Sequence, residues 1–335
     1  MASSTFDLEE KRLKREVQHR KAKLVLIQLP EGLKPYGLRL ADIVEKAGAL
    51  AIVSADPCYG ACDLALVEAE RLGADLIIHY GHSKMLDQTA FSTLYIEAKA
   101  KKSVKNAVKK AIPNLKQWKK IGLVTTVQHV HKLDDAKKLL LEVGKTVVVG
   151  DAGETKYAGQ ILGCNYSNAK AVSREIDAFL FIGGGKFHAL GIALVTAKPI
   201  IVADPYEDRT FSIDDAVTVI LKKRWANIHE AEEAKKIGIL IGLKAGQKRL
   251  DQALKIKRLV ENAGKKATLL ALREITPEAL MQFPTIDAFI NTACPRLSLD
   301  DGKTFRKPLL TLKEMLVALG KVKWEELCKT GWFEN

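Results

Sequence analysis

Cys62, Cys164 and Cys294 are the residues of this chain whose type and placement could do chemistry. Each lies at a strand end in its own loop: Asp56-Pro57-Cys58-Tyr59-Gly60-Ala61-Cys62-Asp63, Ile161-Leu162-Gly163-Cys164-Asn165 and Asn291-Thr292-Ala293-Cys294-Pro295-Arg296. No two of the three share a short metal-ligand motif. A closed zinc site usually draws four ligands, often from CxxC knuckles. Three thiolates from three places suit a [4Fe–4S] cluster better, because they leave one iron open for chemistry. A one-loop Cys-x3-Cys-x2-Cys cluster motif fails here, since its third cysteine position, residue 65, is Ala65. The loop reading favours Cys62 over Cys58 as ligand. Pro57 and Gly60 make a turn, and a helix is expected to begin at Cys62, where a helix N-terminus stabilises thiolate. Cys328 falls in an amphipathic tail helix and reads as packing.

Distant thiolates converge only if repeated elements carry them there, and the chain shows such repeats. Three strand starts are alike, Lys23-Leu-Val-Leu-Ile-Gln, Lys120-Ile-Gly-Leu-Val-Thr and Lys236-Ile-Gly-Ile-Leu-Ile. Three later strands are headed by Asp75, Asp177 and Asp287, at spacings of 52, 57 and 51 residues from those lysines. Each unit reads as strand, helix, strand, helix, strand, strand. The helices are expected at 37–47, 132–142 and 247–263. Alternating strands and helices imply parallel sheets with right-handed crossovers. Ligands bind at the carboxyl ends of such strands. The expected fold is α/β, with three repeated units and parallel sheets around a pseudo-threefold centre. The units are expected at 1–104, 105–225 and 226–335, the last with capping helices. Residues 99–118 read as a helix with one solvated basic face, and 222–236 as a charged, sparsely apolar boundary.

The bulk properties set limits. The 335 residues are 47% hydrophobic and 28% charged, which is the profile of a folded chain. No run of about 18 apolar residues is present, so no membrane span is expected. The opening residues lack a signal-peptide core, and the cytoplasm is the expected compartment. Five cysteines do not make a disulfide scaffold. The net charge of +13 suits an acidic macromolecular partner, although scattered lysines also read as a solvated surface.

Other polar groups stand at expected strand ends. Gly183-Gly184-Gly185 follows a strand and precedes a helix-like run. Its amides could hold a carboxylate or a ribose, or it is a simple tight turn. His82 and His188 follow equivalent strands and could contact a cofactor or cap a helix. Gln28 and Glu31 end the first strand. Asp204-Pro205-Tyr206 mirrors Asp56-Pro57-Cys58 and reads as a turn.

These pieces resemble a family. Tyr59-Gly-Ala-Cys62-Asp63, Leu162-Gly-Cys164 and Thr292-Ala-Cys294-Pro-Arg296 are similar to the archaeal diphthamide synthase subunit family, the 2-(3-amino-3-carboxypropyl)histidine synthases. Gln28-Leu-Pro-Glu31-Gly32, His79-Tyr-Gly-His82-Ser83 and Phe181-Ile-Gly183-Gly-Gly185-Lys-Phe-His188 extend the resemblance over nearly the whole chain. It implies a [4Fe–4S] cluster on Cys62, Cys164 and Cys294, with Cys58 extra to the set. It also implies S-adenosylmethionine as co-substrate, cleaved at the bond between sulfur and the γ-carbon. The 3-amino-3-carboxypropyl group would go by radical chemistry to a histidine of translation elongation factor 2. A homodimer and an external electron donor are implied as well. Gln28, His82, Gly183, Gly184, Gly185 and His188 are the candidates for contact with S-adenosylmethionine. Two other readings are a quinolinate synthase-like condensing enzyme, which has a similar three-unit repeat, and a nonenzymatic α/β ligand-binding module.

Overall fold

A computed structural model describes residues 5–86, 91–300 and 305–333. Met1–Ser4 of the opening segment lie outside the described residues. The chain forms two compact units. The first comprises residues 1–103, 127–131 and 244–246, and the second comprises the remainder.

The first unit contains β1 (Phe6–Asp7), β2 (Leu24–Gln28), β3 (Leu50–Val53), β4 (Leu76–Tyr80), β5 (Thr93–Ile96) and β6 (Lys99–Ala100). Strands β3-β2-β4-β5 form a parallel sheet, and β1 pairs antiparallel with β6. The central strands β2 and β4 are aliphatic because both their faces are covered. Ile27, Ile78 and Tyr80 pack toward helices Glu10–His19 and Gly37–Glu45, through Leu13, Val17, Leu40 and Val44. Leu26 and Ile77, one residue out of phase, pack on the other face against Leu64, Ala65 and Ala69. Side chains alternate across a strand, so this two-sided core follows directly from the sequence. Each fully buried Ile contributes about 1.5–3 kcal/mol.

The second unit holds two more sheets. One contains β7 (Lys120–Thr125), β8 (Thr146–Val148), β9 (Ala178–Ile182), β10 (Ile200–Asp204) and β11 (Arg209–Ser212). The other contains β12 (Lys236–Gly242), β13 (Lys266–Leu272), β14 (Ala288–Asn291) and β15 (Leu309–Thr311). The orders are β11-β10-β9-β7-β8 and β13-β12-β14-β15, parallel apart from the added antiparallel edge β11. Leaving that edge aside, all three sheets place the second strand beside the first, then the third, then the fourth. The two sheets share one core containing Phe179, Val202, Ile239 and Ile290.

The repeated aspartates explain the spacing seen in the sequence. Asp75 accepts from the amides of Lys23 and Leu24, at 2.7 and 2.8 Å. Asp177 accepts from Lys119 and Lys120, at 2.9 and 2.7 Å. Asp287 accepts from Lys235 and Lys236, at 2.9 and 2.8 Å. A carboxylate at the head of the third strand thus pins the head of the first. A second repeated device is glycine under phenylalanine. Gly122 pairs with Phe179 and Gly238 with Phe289, and an added Cβ would lie 2.6 Å from either ring. In the first sheet Val25 pairs with Leu76, so the larger residue sits opposite a smaller one.

One sequence expectation is corrected and another is filled in. Residues 222–236 are mostly the end of a 19-residue helix, Asp214–Glu232, with Arg224, Ile228 and Ala231 buried. Its charge pattern concealed a buried arginine. Residues 99–118 are not one helix. They form β6, a helix at Lys105–Ala111 and a 3-10 turn at Ile112–Leu115, although Lys105, Lys109 and Lys110 do face solvent. Pro113 lacks an amide donor and favours the tighter turn.

Candidate functional site

In the first unit, the Cys58–Asp63 segment lies between β3 and helix Leu66–Leu72. The helix begins four residues beyond Cys62, which corrects the expectation that Cys62 opens it. Asp63 N–H instead closes a turn onto the Gly60 carbonyl at 3.0 Å. Cys62 is half-buried, whereas Cys58 is buried. Burial, and then the Asp63 carboxylate, push the Cys58 thiol up to about 12. Cys58 is therefore a protonated packing thiol and Cys62 the more accessible one.

A polar cradle surrounds this loop. The Gln28 side chain donates to the Asp63 carbonyl at 2.6 Å and accepts from Ala65 N–H at 3.2 Å. Its oxygen also lies 2.9 Å from His79 Nδ1, and His79 Nε2 lies 3.0 Å from His82 Nδ1. Lys244 Nζ donates to Asp63 Oδ2 at 2.9 Å, with both side chains buried. The same ammonium sits 4.2 Å over the exposed Tyr59 ring. Gly246 N–H donates to the Cys62 carbonyl at 2.7 Å.

Burial drives His79 well below the ordinary histidine range and His82 down to about 4. Both rings are neutral at physiological pH. Gln28 Oε1 is an acceptor, so His79 carries its proton on Nδ1 and accepts at Nε2 from His82. Cys58, His79 and His82 each place a ligand atom within 4.8 Å of the others, a spacing that could hold a metal ion. Gln28, His79 and His82 form a hydrogen-bonded chain, with the Cys58 thiol close to the two rings.

In the second unit, Cys164 lies in the loop between β8 and helix Ser167–Val172, and Cys294 is the N-cap of helix Pro295–Leu299. Both act electrostatically on Tyr166, whose phenol is pushed above its ordinary range by burial first. Tyr166 O–H donates to the Gly163 carbonyl at 3.1 Å. A Cβ on Gly191 would lie 1.9 Å from the Tyr166 hydroxyl oxygen, so glycine there makes room for the phenol. Arg296 is buried. It donates to the Phe187 carbonyl at 2.6 Å, pairs with Asp300 at 2.6 Å, and stacks 3.8 Å over the Phe187 ring. That ring lies 2.9 Å from where a Gly163 Cβ would be, so Phe187 lies beside the residue preceding Cys164. His188 stacks on Phe181, with ring centroids 5.9 Å apart.

The glycine turn is partly occupied by the protein itself. Gly183 N–H donates to the Ala203 carbonyl at 3.1 Å, and Gly185 N–H to Asp204 Oδ2 at 3.3 Å. Asp204 also accepts from the amides of Tyr206 and Glu207, as the turn reading expected. Cys328 packs against the shared core of the second unit. Sequence reading gave no role to Asp63, His79, Tyr166, Lys244, Gly246 or Arg296. Four of these sit inside or beside the quoted cysteine and histidine motifs, which was a usable signal. Lys244-Ala245-Gly246 carried none.

The profile described as diphthamide synthesis protein matches residues 29–328. This chain belongs to the diphthamide synthesis protein family. It is 39% identical over 317 residues to the 2-(3-amino-3-carboxypropyl)histidine synthase of Pyrococcus horikoshii, covering 94% of this chain and 91% of that protein. It is 34% identical over 321 residues to 2-(3-amino-3-carboxypropyl)histidine synthase subunit 1 of Schizosaccharomyces pombe, covering 93% of this chain and 73% of that one. The crystal structure of Dph2 from Pyrococcus horikoshii with a 4Fe-4S cluster superposes with a TM-score of 0.88 at 36% identity. It covers 98% of this chain and 95% of that chain. In this diphthamide family member all five cysteines are free thiols. Cys62, Cys164 and Cys294 are the half-buried ones outside regular helices, a soft donor set that fits iron–sulfur ligation. No helix among the described residues is long and apolar enough to cross a membrane.

Proposed function

We propose that this chain is a 2-(3-amino-3-carboxypropyl)histidine synthase, acting at the first step of diphthamide formation. The observation that carries this reading is its full-length similarity to proteins of that name, with three accessible thiols in separate strand-end loops. Cys62, Cys164 and Cys294 hold a [4Fe–4S] cluster. When bound, the cluster would supply one electron to break the sulfur–γ-carbon bond of S-adenosylmethionine and recover it as the substituted histidine carbon loses its proton. The aminocarboxypropyl group would thus pass to a histidine carbon of translation elongation factor 2 without net redox change, and 5′-methylthioadenosine and that proton would leave. In this proposal three repeats, at 1–104, 105–225 and 226–335 about a pseudo-threefold centre, would each contribute one of the thiolates. The common strand order and the three aspartate pins support that triplication.

The protein's own residues orient and exclude. Gln28, His79 and His82 form a neutral relay behind the Cys62 loop, and His82 ends it as a candidate contact for S-adenosylmethionine. Gly183, Gly184, Gly185 and His188, after β9, are candidates for its polar ends. Arg296 and Tyr166 fix the loops bearing Cys294 and Cys164. The enzyme works in the cytoplasm as a homodimer, with an external reductant.

The test is anaerobic incubation of reconstituted protein with S-adenosylmethionine, dithionite and elongation factor 2. Mass spectrometry should find the 3-amino-3-carboxypropyl adduct on a histidine of the factor, together with methylthioadenosine. Absence of both with a full cluster returns the chain to the quinolinate synthase-like reading. A colourless protein after anaerobic purification returns it to the nonenzymatic one.

A further inference from the structure

We infer that Lys244 and Gly246 are positioning residues for the Cys62 loop. This rests on the reading of Cys62 as a cluster ligand. Four hydrogen bonds converge on the short stretch from Cys62 to Ala65, three on its backbone and one on the Asp63 carboxylate. Gln28 supplies two, at Asp63 O and Ala65 N–H. Gly246 and Lys244 supply the others, at the Cys62 carbonyl (2.7 Å) and the Asp63 carboxylate (2.9 Å). Lys244 lies 181 residues along the chain from Asp63, so the loop cannot set this geometry by itself.

Gly246 is required by space. A Cβ there would lie 2.7 Å from both Cα and Cβ of Cys62 and 3.1 Å from its carbonyl oxygen. No flexible side-chain end can give way, so an added methyl must displace the carbon that carries the thiol. Lys244 is required by charge. Asp63 is buried next to Cys62, and a buried carboxylate needs its partner. The ammonium also sits over Tyr59, three residues before Cys62, and so ties both sides of the thiol to one group. The segment grips the loop at the Cys62 carbonyl and the Asp63 carboxylate. Ligands of a metal centre depend on such supporting partners for orientation, and losing one typically weakens binding or activity about 10–100-fold.

The test uses the full chain, reconstituted anaerobically, as wild type and as Gly246→Ala, Lys244→Met, Lys244→Met/Asp63→Asn and Cys62→Ala. Iron and sulfide per chain, cluster loss to a chelator, the electron paramagnetic resonance signal of the reduced cluster, and thermal melting are measured. Gly246→Ala should lose its cluster to chelator about 10–100-fold faster and shift the reduced-cluster signal. Lys244→Met should do the same and also lower the melting temperature. The double variant removes the unpaired buried carboxylate, so melting should recover while cluster retention should not. A merely structural role predicts recovery of both, and that result overturns the inference. Wild-type retention and signal in Gly246→Ala overturn it as well. Should a variant fail to fold, the wild type decides. Cluster loading should slow hydrogen exchange in the peptide containing Gly246, because two mutually supporting events stabilise each other reciprocally. Unchanged exchange there overturns the inference. Full iron in Cys62→Ala instead overturns the ligand reading on which it rests.

Discussion

At the scale of single residues, the five thiols separate by surroundings. Cys62→Ala, Cys164→Ala and Cys294→Ala should each lower iron content sharply and abolish transfer. Cys58→Ala and Cys328→Ala should keep both, because Cys58 is a buried protonated thiol and Cys328 packs against the core. Iron analysis with an adduct assay checks all five, and normal iron in any of the first three removes it from the ligand set. The histidine relay gives a pH prediction. His79 and His82 are held below the ordinary value of 6.5, His82 down to about 4, because burial disfavours the charged ring. The unfolded chain binds these protons first as pH falls. Their contribution is thus intact above pH 6.5 and is lost on acidification from there toward about 4. The shift at His82 alone corresponds to roughly 3 kcal/mol. Chemical denaturation at pH 7 and pH 5 should show this loss. A His79→Gln/His82→Asn variant should show a flatter dependence, and an unchanged slope would sink the account.

At the scale of elements, one device pins the strand heads of each sheet and another anchors the helix that Cys294 caps. Asp75, Asp177 and Asp287 sit below their ordinary range because each accepts two backbone amides. Substituting any one by Ala should lower the melting temperature, and the contribution should vanish as acid protonates the carboxylate. A calorimetric pH series checks this, and an aspartate whose loss leaves melting untouched is not a pin. The second device is the buried cluster around Glu314. Arg224 contacts both of its oxygens, at 2.7 and 2.6 Å, and also donates to the carbonyls of Ser298 and Leu309. Ser298 lies in the helix capped by Cys294, so this arginine anchors the element that presents that thiol. Trp332 Nε1 and the Thr311 amide complete the carboxylate's bonds, at 2.7 and 2.8 Å. Arg224→Leu strands a buried charge and should cost about 3–5 kcal/mol, whereas Arg224→Leu/Glu314→Leu should recover much of it. Urea denaturation distinguishes the two, and equal loss in both would argue for packing in place of charge.

At the scale of the whole molecule, the net charge of +13 and the protein substrate belong together. A factor-bound histidine must be reached through an encounter between surfaces, and complementary charge speeds such encounters. In the proposed reaction the cleavage of S-adenosylmethionine would be shielded from solvent, where salt screens little. Encounter is screened over a Debye length of roughly 8 Å at physiological ionic strength. Raised salt should therefore slow aminocarboxypropyl transfer more than abortive methylthioadenosine release. Parallel decline of the two rates would assign the lysines to a solvated surface.

The sequence by itself determined what is periodic or local. Aliphatic runs with both faces covered marked the strands, and the spacing of lysine heads to Asp75, Asp177 and Asp287 marked the repeat, because that carboxylate must meet that amide. The cysteine loops were legible for the same reason, as interruptions directly after strands. Only the tertiary structure decided which distant groups close on them. Lys244 and Gly246 meet Cys62 and Asp63 from far along the chain, and Arg224 meets Glu314 across 90 residues. Such pairings follow no period, so a charged helix face hid a buried arginine and a Lys-Ala-Gly segment looked like any loop. The start of the helix after Cys62 was misplaced for a related reason. Gln28 and Gly60 take up the polar groups of residues 63–65 that an earlier helical turn would have used. Partners chosen by packing, beyond the reach of local propensity, set where that helix begins.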